Sequence, residues 1–455
     1  MTEHNFDVLV IGGGPGGYTA AIRAAQLGLE VGLAEKAELG GVCLNWGCIP
    51  TKSLLHTADV MREAMGAADL GLEISKPKFK LKKVVKRSRD VAAQLSGGIA
   101  HLMRKNKIKV FNGEALLHDK NTVQVGEETI IADNVIVATG ATARNLPHIQ
   151  VDDDRIWDAR SAMTPSFMPK RLLIIGAGAI GVEFASFYNT LGAKVTLVEV
   201  MDQILPAEDA EIAGMAAEAF AAQGIEVRTG TAVDSLEYDK KKLVATIDGS
   251  TEKFDAAILS VGVSGNTEGM GLEAAGVAID RGFITVDAAQ RSSVPGIYAI
   301  GDVAGVPCLA HKASHEGIIA VEQIMGQSPH PLNKARIPGC TYSHPQIASI
   351  GLSEAAAAAT GEIRVGRFPL LANGKAIAIN DSEGLVKTIF DAATGELLGA
   401  HMIGPGVTEM IQGFAVAIGL ETTEQELMAT IFPHPTLSEA MHESVLSAYG
   451  RTINF

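Results

Sequence analysis

One stretch of this 455-residue sequence is written twice. Residues 7–35 and 171–199 align without a gap: Gly12, Gly14 and Gly17 correspond to Gly176, Gly178 and Gly181, Gly28 to Gly192, and Glu35 to Glu199. Each copy reads as an apolar strand (8–11; 172–175), a glycine turn, a helix, and a second strand closed by a glutamate 18 residues after the last glycine. Gly-x-Gly-x-x-Gly alone is a weak signal. Set between a strand and a helix and answered by an acidic residue, it is the fingerprint of a dinucleotide-binding βαβ unit. The glycines let backbone approach a pyrophosphate, the helix N-terminus supplies N–H groups, and the glutamate accepts hydrogen bonds from ribose hydroxyls. The bland alternative, a close-packed strand–helix turn with no ligand, has to hold twice over.

The first copy runs into Gly-Gly-Val-Cys-Leu-Asn-Trp-Gly-Cys-Ile-Pro-Thr-Lys, residues 40–52. Cys43 and Cys48 read as a redox disulfide. The Cys-x4-Cys spacing is not that of a zinc knuckle, and His56 is the only further ligand type close by. An inert structural disulfide is disfavoured in a reducing cytosol. A cycling thiol pair needs a two-electron partner, so the first fingerprint is expected to hold FAD and the second a nicotinamide nucleotide. Glu199 repels a 2′-phosphate and residues 199–202 contain no arginine, which favours NAD. A helix is expected from near Pro50, since proline suits a first helical turn. Cys48 then sits at a helix N-terminus, where the macrodipole stabilises a thiolate. Lys52, four residues on, adds positive charge on the same face, unless it is a plain surface lysine. Cys48 is therefore the flavin-side thiolate. Cys43, on a looser upstream segment, is the sulfur that exchanges with an incoming dithiol. Cys308 and Cys340 have no partner at motif spacing and read as ordinary buried thiols.

The rest of the chain supplies context. A lysine-rich stretch, 76–109, reads as a helix with a solvated face. Strands are expected over 129–139, 258–263 and 297–300. From about 335 onward β-like pieces (385–390, 397–403) alternate with helices (409–419, 437–449), and no third fingerprint occurs, so this part reads as an interface or substrate domain. The formal net charge of −14 argues against a nucleic-acid partner, which calls for a basic patch. The longest apolar run, 172–182, stops at Glu183 and is too short to span a membrane. Residues 1–7 carry no secretory pattern, so the chain is expected to be cytoplasmic, or organellar after processing. Glu183 follows that apolar run in a helix expected to be buried, where it needs a partner. Its alternative reading is an exposed helix glutamate.

Residues 40–52 and the C-terminal His434-Pro435-Thr436-Leu437-Ser438-Glu439 resemble the pyridine nucleotide–disulfide oxidoreductases, and the likeness extends over essentially the whole chain. Within that family the chain is most similar to the branch that oxidises protein-bound dihydrolipoyl groups with NAD. The resemblance implies an α/β fold with two Rossmann-like domains, for FAD and NAD, plus a C-terminal α+β dimerisation domain. The expected spans are 1–145 (FAD domain, first part), 146–265 (NAD domain), 266–334 (FAD domain, second part) and 335–455 (interface). It implies that Lys52 lies near the flavin N5 edge with Glu183 as its partner, and that Asp302 binds the ribityl chain. Leu309, Ala310 and His311 then line the flavin pyrimidine ring, with Lys36, Gly113, Thr139 and Gly140 as further FAD contacts. Val233 and Gly262 belong to the NAD side. His434 corresponds to the catalytic base and Glu439 to its orienting carboxylate, reaching the disulfide of the other subunit in an obligate homodimer. A lipoylated E2 or H-protein is the implied partner.

Other readings stay open at this point. Thr436-x-x-Glu439 is also a capping box, which explains Glu439 by helix geometry alone. Trp46 stands where a small aliphatic is usual, Phe432 where a histidine is common, and Ser264-Gly265 where Arg-Pro is usual. Glutathione reductase relatives carry a basic 2′-phosphate site, and none follows Val198. Mercuric reductase relatives carry an extra C-terminal thiol pair, absent from 451–455, and NADH oxidase relatives use a single redox cysteine. No lipoyl domain is expected ahead of residue 1. A flavoprotein serving mainly as a complex subunit is the rival from another class. Which 2-oxoacid dehydrogenase or glycine-cleavage complex is served is not written in the sequence.

Overall fold

Every residue from 8 to 11 is apolar because both faces of that strand are covered. In the computed structural model, which describes residues 2–455, strand β1 (Thr2–Ile11) turns Val8 and Val10 toward helix α1 (Pro15–Gln26), where Ala20, Ala21 and Ala24 meet them. Leu9 and Ile11 face the opposite core with Phe111, Val135, Leu272 and Ile297. A parallel strand buried on both sides has no wet face, so the polar alternation of an exposed sheet is missing. β2 (Val31–Glu35) follows, then the short helix α2 (Gly41–Trp46), α3 (Cys48–Met65), α4 (Leu81–Lys105) and β3 (Lys109–Asn112). β4 (Ala115–Leu117), β5 (Thr122–Val125) and β6 (Glu128–Val137) complete the run. The sheet order is β3-β2-β1-β6, with the β5 hairpin on the first half of β6 and strand Ile297–Ala299 on its second half. β1, β2, β3, β6 and Ile297–Ala299 all run parallel.

This sheet belongs to the first of two compact units, formed by residues 2–54, Lys80–Arg144 and Gly262–Leu332. Within it α1 crosses helix Ala310–Ile324 at close range. A Cβ on Gly317 would lie 2.8 Å from the Gly16 carbonyl oxygen, so only glycine permits the approach. Arg23 and Glu322 close the same crossing with an ion pair of 2.6 Å.

The second unit comprises Leu55–Phe79, Asn145–Val261 and Asn333–Phe455. The second copy of the repeat forms a parallel sheet in the order Glu226–Arg228, Lys194–Val198, Arg171–Ile175, Ala256–Leu259, Ile156–Trp157. A three-stranded antiparallel sheet, Val233–Asp239, Lys242–Ile247 and Ser250–Phe254, shares its apolar core. Residues beyond 335 form a five-stranded antiparallel sheet packed against helices Val407–Gly419 and Glu439–Ala448.

One strand expectation needs correction. The strand expected over 258–263 is two strands: Ala256–Leu259 ends, Gly262 takes φ +98°, and Val263–Gly265 pairs with Ala141–Ala143 in the first unit's chain. Leu55–Phe79 groups with the second unit. Arg62, in the outer turns of α3, donates to Thr190 Oγ1 at 3.2 Å there.

A polar row crosses the C-terminal sheet. Arg367, Lys387, His401 and Ser349 are register neighbours on successive strands. Lys387 is 1% exposed and meets Asp209 at 2.7 Å, Glu211 at 2.8 Å and Glu354 at 2.6 Å. Burial pushes the Asp209 and Glu211 carboxyls up, but hydrogen bonds from Lys387 to Asp209, and from Arg367 and Lys387 to Glu211, outweigh it and hold both below the usual carboxylate range. Their contribution to stability is therefore present above the unfolded values near ~4 and is lost as pH falls through the depressed folded values. Lys387→Met leaves the buried Asp209 carboxylate without its cation, while Glu211 and Glu354 keep Arg367. It is expected to cost about 3–5 kcal/mol at neutral pH, read from urea unfolding, with the deficit shrinking in acid. An unchanged urea midpoint contradicts this account.

Candidate active site

Parallel strands bring their carboxyl ends to one edge, and that edge collects the first unit's expected cofactor residues. Gly12 follows β1, Glu35 ends β2, Gly113 follows β3, Thr139 and Gly140 follow β6, and Gly301-Asp302 follow Ile297–Ala299. Ligands of open α/β sheets bind outside this edge. The glycines divide by task. A Cβ on Gly12 would lie 2.3 Å from the Ala138 oxygen, and one on Gly17 1.8 Å from the Gly12 oxygen, so these two serve the turn itself. Gly14, the N-cap of α1, would meet nothing nearer than Gly41 Cα at 4.0 Å. The second copy repeats the pattern: Gly176 and Gly181 would clash at 2.2 and 2.0 Å, whereas Gly178 has nothing within 4 Å. The middle glycine thus leaves room beside a helix N-terminus, the arrangement that suits a pyrophosphate.

Glu35 and Glu199 each brace their own glycine turn. Glu35 accepts the Gly13 N–H at 2.6 Å and the Ala37 N–H at 2.8 Å; Glu199 accepts those of Ala177 at 2.8 Å and Met201 at 3.0 Å. Each carboxylate ties the glycine turn to the end of the second strand. Each oxygen keeps a further lone pair for a hydroxyl donor. Lys36 pairs with Glu114 at 3.2 Å on the open surface, a contact worth little.

Lys312 and Glu316 escaped the sequence reading. They form a buried ion pair of 3.0 Å, four residues apart on helix Ala310–Ile324. Lys312 donates to the carbonyls of Gly301 at 3.2 Å and Gly305 at 2.9 Å, and Glu316 accepts the Gly301 N–H at 2.7 Å. The pair fixes the turn that carries Asp302, whose carboxyl burial pushes up. The available signal was a Lys–Glu pair four residues apart on one helix. Leu309 caps this helix, Ala310 opens it, and His311 is exposed at its first turn.

The cysteine segment sits directly on the first fingerprint. The Gly40 N–H donates to the Gly13 carbonyl at 2.8 Å, and a Cβ on Gly41 would lie 2.8 Å from Gly14 Cα. Cys43 is not on a loose segment but within α2, and α3 begins at Cys48 itself rather than near Pro50. The two sulfurs are not bonded to each other here; Cys48 is exposed and Cys43 half-buried. A hydrogen bond with Cys48, then burial, push the Cys43 thiol far up, while Lys52 acts in the opposite sense. Cys48 stands at the α3 N-terminus, where the helix dipole favours negative charge.

In the second unit, His434 and Glu439 meet. Glu439 Oε1 lies 2.9 Å from His434 Nδ1, and Oε2 accepts the Thr436 N–H at 2.8 Å. The Thr436 hydroxyl turns away to the Pro433 carbonyl at 2.7 Å. Only the acid half of the capping box is formed, and the same carboxylate holds the imidazole. Burial raises the Glu439 carboxyl, but the Thr436 N–H and His434 outweigh it and keep it below its ordinary value. The His434 side chain is 78% exposed. With Nδ1 engaged, Nε2 is the nitrogen open to a substrate proton. Phe432 stacks on His442, centroids 5.2 Å apart. Glu183 is buried at 5% exposure, so the exposed-helix alternative fails, and it accepts the Tyr342 N–H at 2.9 Å. Val233 opens the three-stranded sheet and is buried.

The Ser264-Gly265 departure has a local reason. A Cβ on Gly265 would lie 2.4 Å from the Gly282 oxygen. Asn266 then fixes Thr139, accepting its hydroxyl at 2.8 Å and donating to its carbonyl at 2.8 Å.

Residues 6–317 match the pyridine nucleotide-disulphide oxidoreductase family, and residues 337–445 match the dimerisation domain of the same family. The chain belongs to the pyridine nucleotide-disulphide oxidoreductases. Relatives named dihydrolipoyl dehydrogenase include one from Zymomonas mobilis, 54% identical with 100% of both chains covered, and one from Rhizobium etli, 50% identical with 99% of each covered. Among solved structures, LpdA from Mycobacterium tuberculosis superposes with a TM-score of 0.91 at 30% identity, covering 98% of this chain and 99% of that one. The HOCl-induced flavoprotein disulfide reductase RclA from Escherichia coli gives 0.89 at 26% identity, covering 97% and 99%. Members of this oxidoreductase family use FAD and NAD, and the glycine turns described above fit both. Among the described residues no helix is long and apolar enough to cross a membrane.

Proposed function

We infer that the protein acts as a dihydrolipoyl dehydrogenase, oxidising protein-bound dihydrolipoyl groups to lipoyl and reducing NAD+. The observation that carries this reading is the Cys43/Cys48 segment seated on a dinucleotide turn, in a chain that holds a second such turn. FAD is assigned to the first turn, with Gly12, Gly14, Gly17, Glu35, Gly113, Thr139, Gly140, Asp302 and the start of helix Ala310–Ile324 around it. NAD is assigned to Gly176, Gly178, Gly181 and Glu199, with Val233 and Gly262 nearby. Residues 337–445 are the homodimer-forming part, and the enzyme is placed in the cytoplasm.

In the cycle, His434, held by Glu439, takes a proton from a dihydrolipoyl thiol. The resulting thiolate attacks Cys43 Sγ, the Cys43–Cys48 bond breaks, and Cys48 leaves as thiolate. The second dihydrolipoyl thiol, deprotonated in turn, attacks its own chain's mixed-disulfide sulfur and releases Cys43. The lipoyl group has then lost two electrons and two protons, and the cysteine pair has gained the electrons. Bound FAD supplies the two-electron relay between the pair and NAD+. Lys52 stabilises the negative charge left on Cys48. The base comes from the other protomer, which makes the dimer the catalytic unit.

The test mixes purified holoenzyme with dihydrolipoamide and NAD+ and follows NADH. Rapid NADH formation is expected, with no reduction of glutathione disulfide by NADPH. The reverse preference overturns the reading.

A further inference from the structure

α4 carries Lys82, Lys83, Lys86, Arg87 and Arg89, a run that reads in sequence as a solvated face. Lys86 fits that reading, pairing with Asp90 at 2.6 Å in solvent. Arg87 and Arg89 do not. The Arg87 guanidinium donates to Ser53 Oγ at 2.7 Å. That of Arg89 lies 3.8 Å from the centre of the Trp46 ring and donates to the Asn45 carbonyl oxygen. Ser96, two turns along from Arg89, donates to the Leu39 carbonyl at 2.7 Å. Helix α4 therefore holds the redox segment at three places: before Cys43 at Leu39, between the cysteines at Asn45 and Trp46, and after Cys48 at Ser53.

The middle attachment bears on chemistry. Residues 44–47 are the chain that links the two thiols, and they contain the break between α2 and α3 at Gly47. The Asn45 carbonyl belongs to the last turn of α2, where carbonyls lack helical partners and the dipole is negative. One guanidinium satisfies that carbonyl and covers the π-face of the neighbouring indole, a contact that a planar cation makes well. Asn45 is pinned further by its own side chain, which donates to the Leu39 and Gly41 carbonyls at 3.0 Å each. The spacer between the cysteines is thus clamped rather than free to flex.

We propose that Arg89, acting through Trp46 and the Asn45 carbonyl, is a positioning residue that sets the thiol–disulfide equilibrium of the Cys43/Cys48 pair. The inference rests on the reading that this pair cycles. Dihydrolipoamide reduces the disulfide by exchange: one S–S bond breaks in the protein, one forms in lipoamide, and two electrons and two protons pass to the cysteines. Ring closure in the reverse direction depends on how well the spacer holds the two sulfurs at bonding distance. Releasing the clamp lowers that effective concentration and shifts the pair toward dithiol.

The experiment equilibrates holoenzyme anaerobically with mixtures of lipoamide and dihydrolipoamide, quenches in acid, alkylates, and counts modified Cys43 and Cys48 by peptide mass spectrometry. Thermal melting is recorded in parallel. Arg89→Ala and Trp46→Ala are each expected to raise the dithiol-to-disulfide ratio about tenfold, equivalent to ~30 mV for a two-electron couple. The double variant should go no further than Arg89→Ala, since that change alone already removes the contact with the indole. Trp46→Phe keeps an aromatic face and should stay near the parent ratio. Should Arg89→Ala not fold, Trp46→Leu, which keeps apolar bulk and removes the π-face, carries the same expectation. A parent-like ratio with a lowered melting temperature reduces Arg89 to a structural brace and overturns the proposal. So does an additive double variant. A wild-type pair that stays open in every mixture overturns the functional reading and the proposal with it, and is distinguishable because it needs no variant.

Discussion

Cys48→Ser is expected to lose dihydrolipoamide turnover by on the order of 10⁴-fold or more while the purified protein stays yellow. Serine matches cysteine in shape but forms no S–S bond, so neither the mixed disulfide nor the resolved pair exists. The flavin is nonetheless retained, because its assigned anchors are the turn at Gly12, Gly14 and Gly17, the Glu35 carboxylate and the Asp302 segment. None of them depends on the sulfur. Steady-state NADH formation and the flavin-to-protein absorbance ratio read the two halves separately. Substantial turnover in this variant removes the disulfide from the mechanism; a colourless variant shows that the cysteine segment is part of the flavin anchor.

His434→Ala should lower turnover by roughly 10²–10⁴-fold, the usual range for losing a positioned base. Glu439→Gln should lose less, because an amide oxygen still accepts the Thr436 N–H and keeps the turn that carries the imidazole. Glu439→Ala releases both contacts at once and is expected to fall close to His434→Ala. This ranking separates the two readings of Glu439. A carboxylate that merely caps the helix would show the same deficit in melting temperature for Gln and Ala as in rate. One that orients the imidazole shows a rate deficit beyond its effect on melting. The measurement is kcat/KM for dihydrolipoamide beside a thermal melt for each variant.

The fingerprint halves of the fold were legible because their signals are local. Strand, glycine turn, helix and acidic strand end all fall within one short window, and residues 8–11 and 172–175 are apolar throughout because both faces are covered. The cysteine segment was legible in chemistry but not in shape. α2 is six residues long, too short to display a helical period, and its helical form depends on tertiary support from α4. The inward turn of Arg87 and Arg89 was hidden for the same reason: a basic helix looks solvated until the carbonyls and the indole it meets are known. Lys312–Glu316 and the Lys387 cluster are buried charges, and composition gives no hint of burial for such residues. Lys387 meets partners far away in sequence, Asp209 and Glu211, which no pattern reading pairs. The capping-box ambiguity at Glu439 was real, and the structure resolves it by giving one carboxylate both duties.

The sulfurs at 43 and 48 are expected to exchange electrons with a bound flavin in the same chain. Anaerobic titration of the holoenzyme with dihydrolipoamide, read by alkylation mapping and by flavin absorbance, tests it most directly. Stoichiometric appearance of alkylatable Cys43 and Cys48, a perturbed flavin spectrum, and restoration of both on adding NAD+ are expected. Thiols that appear at neither position, or that appear while the flavin spectrum ignores NAD+, contradict this exchange.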